Sequence, residues 1–167
     1  LILLSVVFWY MGYNAVTSKY SVYAGKVLNL DYNLTLMIAS GAALISYLPV
    51  GIISSKIGRK KTILAGVVML CVSFTAAAFM RAGSPVMLMN GLFALAGIGW
   101  ATINVNSYPM IVELARGGNV GKYTGYYYAA SMSAQALTPV LSGFLMNWKF
   151  TSLFPYAAVF VALAFIT

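Results

Sequence analysis

One stretch decides the fold of this chain: Gly51-Ile52-Ile53-Ser54-Ser55-Lys56-Ile57-Gly58-Arg59-Lys60-Lys61. It holds four cations within six residues, although the whole chain is 62% hydrophobic and only 7% charged. Long apolar runs lie on both sides, and an α-helix needs a run of about 20 apolar residues to cross a membrane. The stretch is therefore predicted to be a short loop between two membrane-spanning helices. Short loops rich in Lys and Arg stay on the cytoplasmic side.

The composition excludes several classes of function. Asp31 and Glu113 are the only acidic residues among 167, there is no His, and Cys71 is alone. Catalytic metal centres and most hydrolytic sites need clusters of such residues. The net charge is +8, but the cations lie at the ends of apolar runs, which indicates membrane topology and not nucleic-acid binding. We therefore expect a protein surrounded by lipid that is not an enzyme and needs no metal or other cofactor.

The apolar runs predict six helices, over about 1–25, 33–54, 62–80, 85–114, 123–148 and 153–167. Loops on the side of the basic stretch carry Lys56, Arg59, Lys60, Lys61, Arg116 and Lys122, whereas the opposite loops carry Lys26, Arg81 and Lys149. This bias predicts a multi-pass protein of the cell membrane with both ends of this segment cytoplasmic. The last helix is too short to span, so we expect a single six-helix domain from a longer polypeptide.

The spacing of Gly51, Lys56, Gly58, Arg59 and Lys60 resembles the loop signature of the major facilitator superfamily, G-x-x-x-D-[RK]-x-G-R-[RK]. The resemblance implies an all-α membrane protein: a six-helix transmembrane bundle that is one half of this fold and is built as a 3+3 inverted repeat. Here Ser replaces the acidic residue of the signature. In the family, the signature is usually better kept in the first six-helix half of the transporter than in the second. The departure therefore favours assignment of this chain to the C-terminal half. The alternative is that any tight loop between membrane helices collects Gly, Lys and Arg.

The resemblance also implies a gate at the cytoplasmic end. In the family, an acid at the end of the fourth helix of a half pairs with the Arg of the signature loop, which corresponds here to Glu113 and Arg59. Such a pair would hold the inner ends of the helices together and break when the gate moves. The alternative is a solvated surface Glu. The residues predicted for the signature loop and gate are Gly51, Lys56, Gly58, Arg59, Lys60 and Glu113.

Polar residues are concentrated in the first, second, fourth and fifth helices, whereas the third and sixth are almost purely apolar. In the fifth helix, polar side chains at helical spacing share one face: Tyr128, Ser131, Gln135, Thr138 and Ser142. A polar stripe in lipid is costly unless it meets water, substrate or another helix. We predict that it lines a substrate cavity. The alternative is helix–helix packing through hydroxyl and amide hydrogen bonds.

The first and fourth helices carry similar faces. Trp100 beside Asn104 suits a sugar ring, which would stack on the indole and bond to the amide, although a Trp can also serve as packing bulk. Lys19 is ionisable inside a span, which indicates function, yet its side chain could instead extend to the headgroups. Asn106 points the other way and is predicted to be structural. The predicted cavity residues are Tyr10, Asn14, Thr17, Lys19, Trp100, Asn104, Ser107, Tyr128, Ser131 and Gln135.

The segments 8–14 and 121–125 are similar to sucrose- and glycoside-type symporters. The chain is therefore interpreted as half of a secondary active transporter, a sugar or glycoside symporter driven by H⁺ or Na⁺ that works by alternating access. Its partners would be lipid, a sugar-like substrate, and the missing N-terminal half or a second copy of the chain. The alternatives are a drug or metabolite exporter of the same fold, against which Asn14, Asn104 and Gln135 argue, and a non-transporting membrane scaffold or receptor subunit.

Overall fold

The computed structural model describes residues 1–29, 31–115 and 118–167. Within these ranges the chain forms six α-helices: α1 (Ile2–Tyr23), α2 (Tyr32–Ile57), α3 (Arg59–Ala78), α4 (Val86–Leu114), α5 (Val120–Trp148) and α6 (Leu153–Ile166). A π-helical turn, Ala24–Leu28, extends α1, and a 3-10 turn, Phe150–Ser152, precedes α6. Arg116, which contributed to the predicted charge bias, lies outside the described residues.

The basic stretch is helical except at one residue. α2 continues through Lys56 to Ile57 and α3 begins at Arg59, so both helices extend into the predicted loop. Gly58 between them has φ +97° and ψ 143°, a conformation that glycine adopts without the steric penalty of a side chain. The chain therefore reverses within a single residue. The four cations lie in the last turn of α2 and the first turn of α3 instead of in a loop.

The six helices form two sets of three, α1–α3 and α4–α6, and the main contacts of α1 and α4 are with helices of the other set. α1 packs on α5 and α6, α4 packs on α2 and α3, and α3 packs on α6. Exchanging α1 with α4, α2 with α5 and α3 with α6 leaves this pattern of contacts unchanged. Equivalent helices are separated by three crossings, so they run in opposite directions. This pattern is the one expected of the 3+3 inverted repeat that the family resemblance implies.

Glycine permits the close helix crossings. A Cβ on Gly97 of α4 would overlap the carbonyl oxygen of Ala39 in α2. A Cβ on Gly66 of α3 would lie 2.7 Å from the carbonyl oxygen of Gly99 in α4. Small residues of this kind let membrane helices approach one another and gain dispersion contacts. α4 is thus held tightly against both of its neighbours.

The surface of the bundle suits lipid or another apolar surface. On α2, Leu44, Ile45 and Leu48 are exposed by 71%, 78% and 78%. By length and composition, α2, α3 and α4 can each cross a membrane, among the residues searched. α1 and α5 have 22 and 29 residues and contain polar side chains such as Asn14, Lys19 and Gln135, and α6 has 14 residues. The positions of the polar side chains on α1 and α5 therefore decide where a candidate site can lie.

Candidate functional site

Side chains of α1, α4 and α5 meet in one group. We define the aromatic–amide cluster by its members: Tyr10, Tyr13, Trp100, Asn104, Ser107, Tyr108 and Tyr127. The members on α1 and on α4 recur at spacings of three and four residues, so each helix presents them on one face. None of the seven carries a charge at neutral pH. The cluster therefore offers ring faces, hydroxyl groups and an amide.

Hydrogen bonds cross the cluster from helix to helix. The hydroxyl of Tyr10 donates to Oδ1 of Asn104 at 3.3 Å and lies 3.5 Å from the hydroxyl of Tyr127. The Tyr127 hydroxyl in turn lies 2.9 Å from Oγ of Ser107. Tyr10, Tyr127 and Ser107 are all buried. Because an unpaired polar group in hydrocarbon is costly, these bonds stabilise the approach of α1, α4 and α5.

The rings of the cluster pack closely. Tyr13 stacks on Trp100 with the ring centroids 3.9 Å apart and the planes 2° apart. Tyr10 meets Trp100 edge-on at 5.1 Å, and Tyr108 lies 5.8 Å from Tyr127. Edge-to-face contacts follow from the charge distribution of aromatic rings. Tyr10 and Trp100, both predicted as cavity residues, are thus in direct contact, and their role in a substrate cavity stays a prediction.

The amide nitrogens are used within their own helices. Nδ2 of Asn14 donates to the carbonyl of Tyr10 at 2.8 Å, and Nδ2 of Asn104 donates to the carbonyl of Trp100 at 3.1 Å. Thr17 Oγ1 likewise donates to a carbonyl of α1 at 3.2 Å. Each NH₂ group keeps one further N–H and each oxygen keeps acceptor capacity, so both amides can still donate to and accept from a ligand.

The polar stripe of α5 is divided between two environments. Ser131, Thr138 and Ser142 are buried, and each hydroxyl donates to a backbone carbonyl of α5 itself. Since α5 packs mainly on α1, these three residues fit the packing alternative. The role of Ser131 as a cavity residue stays a prediction. Tyr128 and Gln135 are exposed and stay candidates for a cavity wall.

Lys19 does not belong to the aromatic–amide cluster. Its side chain runs beside α5, where a Cβ on Gly143 would lie 3.1 Å from Nζ. The missing side chain at position 143 makes room for the ammonium group. Its role as a cavity residue stays a prediction. Asn106 is fully buried and donates from Nδ2 to the carbonyl of Thr102 at 2.8 Å, which fits the structural role predicted for it.

Arg59 and Glu113 form the contact predicted from the sequence. Nε of Arg59 donates to Oε1 of Glu113 at 2.7 Å, joining the start of α3 to the end of α4. The two side chains are 33% and 58% exposed, so water screens much of the attraction. Ser55 donates to the carbonyl of Ile52 instead of joining a charge network. Among the described residues, this pair is the single salt bridge.

The ends of several helices gather beside this ion pair. We call this end of the bundle, which includes Lys56, Lys60 and Lys122, the basic end. A cleft of about 800 Å³ opens there. Its lining is mostly apolar and includes Leu1, Lys60, Leu114, Tyr123 and Thr167. Residues 55–61, the start of α5 and both ends of the described chain therefore lie together, as the charge bias predicted, and the cleft does not include the aromatic–amide cluster.

Three members of the cluster, Tyr13, Tyr108 and Tyr127, are not among the residues predicted from the sequence. Tyr13 lies three residues after Tyr10 and Tyr108 lies four after Asn104, so the helical spacing already contained the signal for both. Tyr127 precedes Ser131 by four residues, whereas Tyr128 precedes it by three. Both spacings fit one helix face, and the sequence alone does not decide which tyrosine is turned inward.

Comparisons with known proteins agree with this architecture. No individual curated protein matches the chain significantly. The family model described as Major Facilitator Superfamily matches residues 2–167, which is nearly the whole chain. The matched residues include all six helices and the turn at Gly58. The chain belongs to the major facilitator superfamily, and it forms a six-helix half of this family's membrane-transporter fold.

Proposed function

We propose that this chain supplies one wall of the substrate site in a sugar or glycoside symporter that is driven by H⁺ or Na⁺. The aromatic–amide cluster is the observation that carries the proposal. A sugar ring has apolar C–H faces that pack on aromatic rings and hydroxyl groups that bond to tyrosine and asparagine. The cluster combines both kinds of surface without a charge, which suits a neutral, hydroxyl-rich substrate.

A substrate site with one wall on this chain needs a second wall on another six-helix unit. In alternating access, two halves of a transporter rock about a site near the middle of the membrane. We propose that the exposed faces of α1, α2, α4 and α5 meet a second six-helix unit, either an N-terminal half or a second copy of this chain. Tyr128 and Gln135 would then face the cavity between the two units. The Arg59–Glu113 pair would hold the cytoplasmic side closed and break as that side opens.

One observation favours a second candidate, an exporter of aromatic metabolites or drugs. The Nδ2 atoms of Asn14 and Asn104 already bond to carbonyls of their own helices. The surface is therefore richer in rings and poorer in available donors than the composition of the faces indicated. A planar aromatic substrate would need ring contacts and few hydrogen bonds.

Transport by the reconstituted protein tests both candidates. Proteoliposomes with an imposed H⁺ or Na⁺ gradient are offered a panel of sugars, glycosides and planar aromatic compounds. Gradient-dependent uptake of a sugar or glycoside is the expected result. If aromatic compounds alone are transported, the exporter replaces the symporter.

A substitution in the cluster links transport to the site. Asn104→Leu removes the acceptor of the Tyr10 hydroxyl and one acceptor for the substrate. We expect KM to rise about two- to tenfold, since a hydrogen bond contributes about 0.5–1.5 kcal/mol. Asn106→Leu is the matched control, because Asn106 is two residues away and lies outside the cluster. Equal KM values for Asn104→Leu and the parent protein would refute the cluster as the substrate site.

A further inference from the structure

The basic end carries more positive charge than the protein itself balances. Lys56, Lys60, Lys61 and Lys122 are exposed there. The carboxylate of Glu113 is already bonded to Arg59 at 2.7 Å, and among the described residues no other acid lies at this end. Four cations therefore face the surroundings of the bundle without a protein carboxylate beside them.

At the basic end one of the four lysines also contacts a ring: Nζ of Lys122 lies 5.8 Å from the Tyr126 centroid. At the opposite end most of the cations contact protein groups. Nζ of Lys26 lies 4.4 Å from the centroid of the Phe150 ring. The guanidinium of Arg81 donates to the carbonyls of Ala78 and Met80, both at 2.8 Å. Two of the three cations at this end are thus engaged by neighbouring protein groups. The unbalanced charge is a property of the basic end.

The position of the lysines is unfavourable for the helix that carries them. Lys60 and Lys61 lie in the first turn of α3, where the helix dipole is positive and added cations are destabilising. Gly58, the preceding residue, provides no side-chain cap. Glu113 offsets the charge of Arg59 in this turn. Lys60 and Lys61 have no acid beside them in the described part of the chain, so they work against the stability of α3 unless a further negative group approaches.

An exposed apolar surface adjoins these cations. Ile52, Ile53 and Ile57 in the last turns of α2 are exposed by 55%, 46% and 56%. Lys60 also lines the mostly apolar cleft at this end. A ligand that suits both features has an anionic head and hydrocarbon chains.

We propose that the basic end binds an anionic phospholipid at the α2–α3 turn. The headgroup phosphate pairs with Lys60 and Lys61, and the acyl chains lie along the exposed isoleucines of α2. Basic residues next to membrane spans attract anionic lipids through the same electrostatics. The proposal depends on the chain being in a membrane, and it does not depend on which substrate is carried.

Native mass spectrometry of the purified protein tests the preference. The protein is equilibrated in mixed micelles with equal amounts of phosphatidylglycerol and phosphatidylcholine, and the retained lipids are counted. The parent protein should retain phosphatidylglycerol preferentially. Lys60→Gln/Lys61→Gln should lower the preference about fivefold for each lysine, since a lysine near an anionic surface contributes about 1 kcal/mol. Lys56, Arg59 and Lys122 remain, so the charge bias that sets orientation is kept.

A matched control and two competitors separate the outcomes. Lys26→Gln/Lys149→Gln removes the same charge from the opposite end and should leave the preference nearly unchanged. Raised salt should weaken retention of phosphatidylglycerol through screening, and inorganic phosphate should displace little of it. The proposal is wrong if both double variants lose the preference equally, if the parent protein has none, or if inorganic phosphate displaces the lipid completely.

Discussion

At the scale of single residues, the hydroxyl of Tyr127 connects three helices. It lies 2.9 Å from Ser107 Oγ and 3.5 Å from the Tyr10 hydroxyl. Tyr127→Phe keeps the ring and removes these bonds. We expect the free energy of unfolding to fall by about 0.5–1.5 kcal/mol, with the lower end favoured because hydrogen bonds within membrane proteins average about 0.6 kcal/mol. Unfolding by titration with a denaturing detergent measures the change.

The neighbouring tyrosine provides the control for that substitution. Tyr126 is 49% exposed, and its hydroxyl bonds to no group in the described part of the chain. Tyr126→Phe should therefore leave the unfolding midpoint unchanged. Equal effects of the two substitutions would show that the Tyr127 bonds do not contribute to stability.

At the scale of elements, the crossing of α2 and α4 depends on a glycine. A Cβ on Gly97 would overlap the carbonyl oxygen of Ala39, which belongs to rigid helical backbone. Gly97→Ala should destabilise the bundle by about 1–3 kcal/mol, the usual cost of overpacking. The same unfolding titration measures it. Gly91→Ala on the same helix is the control, because a Cβ there meets nothing within 4 Å; a Gly97→Ala protein as stable as this control would contradict the close crossing.

The ion pair between α3 and α4 should affect transport more than stability. Arg59 and Glu113 are both partly exposed, and exposed pairs contribute about 0.2–1 kcal/mol. Glu113→Gln should change the unfolding midpoint little but alter the transport rate, because it removes the contact between the two helix ends. The exchanged pair Arg59→Glu/Glu113→Arg should recover part of the rate. No recovery, with expression and folding intact, would indicate that the two residues act separately.

At the scale of the whole molecule, the basic end and the opposite end should face different compartments. In a Cys71→Ser background, Ser55→Cys lies at the basic end and Ala82→Cys in the turn between α3 and α4, and both positions are exposed. The excess of Lys and Arg predicts that the basic end is cytoplasmic. In intact cells, a membrane-impermeant maleimide should therefore label Ala82→Cys and reach Ser55→Cys only after the membrane is opened. Labelling of both positions in intact cells would overturn this topology.

The contact of Arg59 with Glu113 was expected from the resemblance to the family. The sequence by itself determined the existence of the six helices and the gathering of the basic residues at one end. These features follow from length, hydropathy and charge, which act through the lipid solvent on each segment separately. The departure of Ser55 from the family signature was also visible in the sequence. It fits the presence of one ion pair, and no larger charge network, among the described residues.

The tertiary structure alone decided how the polar faces are used. Helical spacing permits either Tyr127 or Tyr128 on the inner face. The packing of α5 against α1 and α4 turns Tyr127 inward. The Asn104 side chain donates to the carbonyl of Trp100 in its own helix and accepts from the Tyr10 hydroxyl. The second of these bonds depends on the position of α1. The turn at Gly58 joins two helices that both pack on α4. In each case a local pattern allows several arrangements, and contacts between helices distant in sequence select one of them.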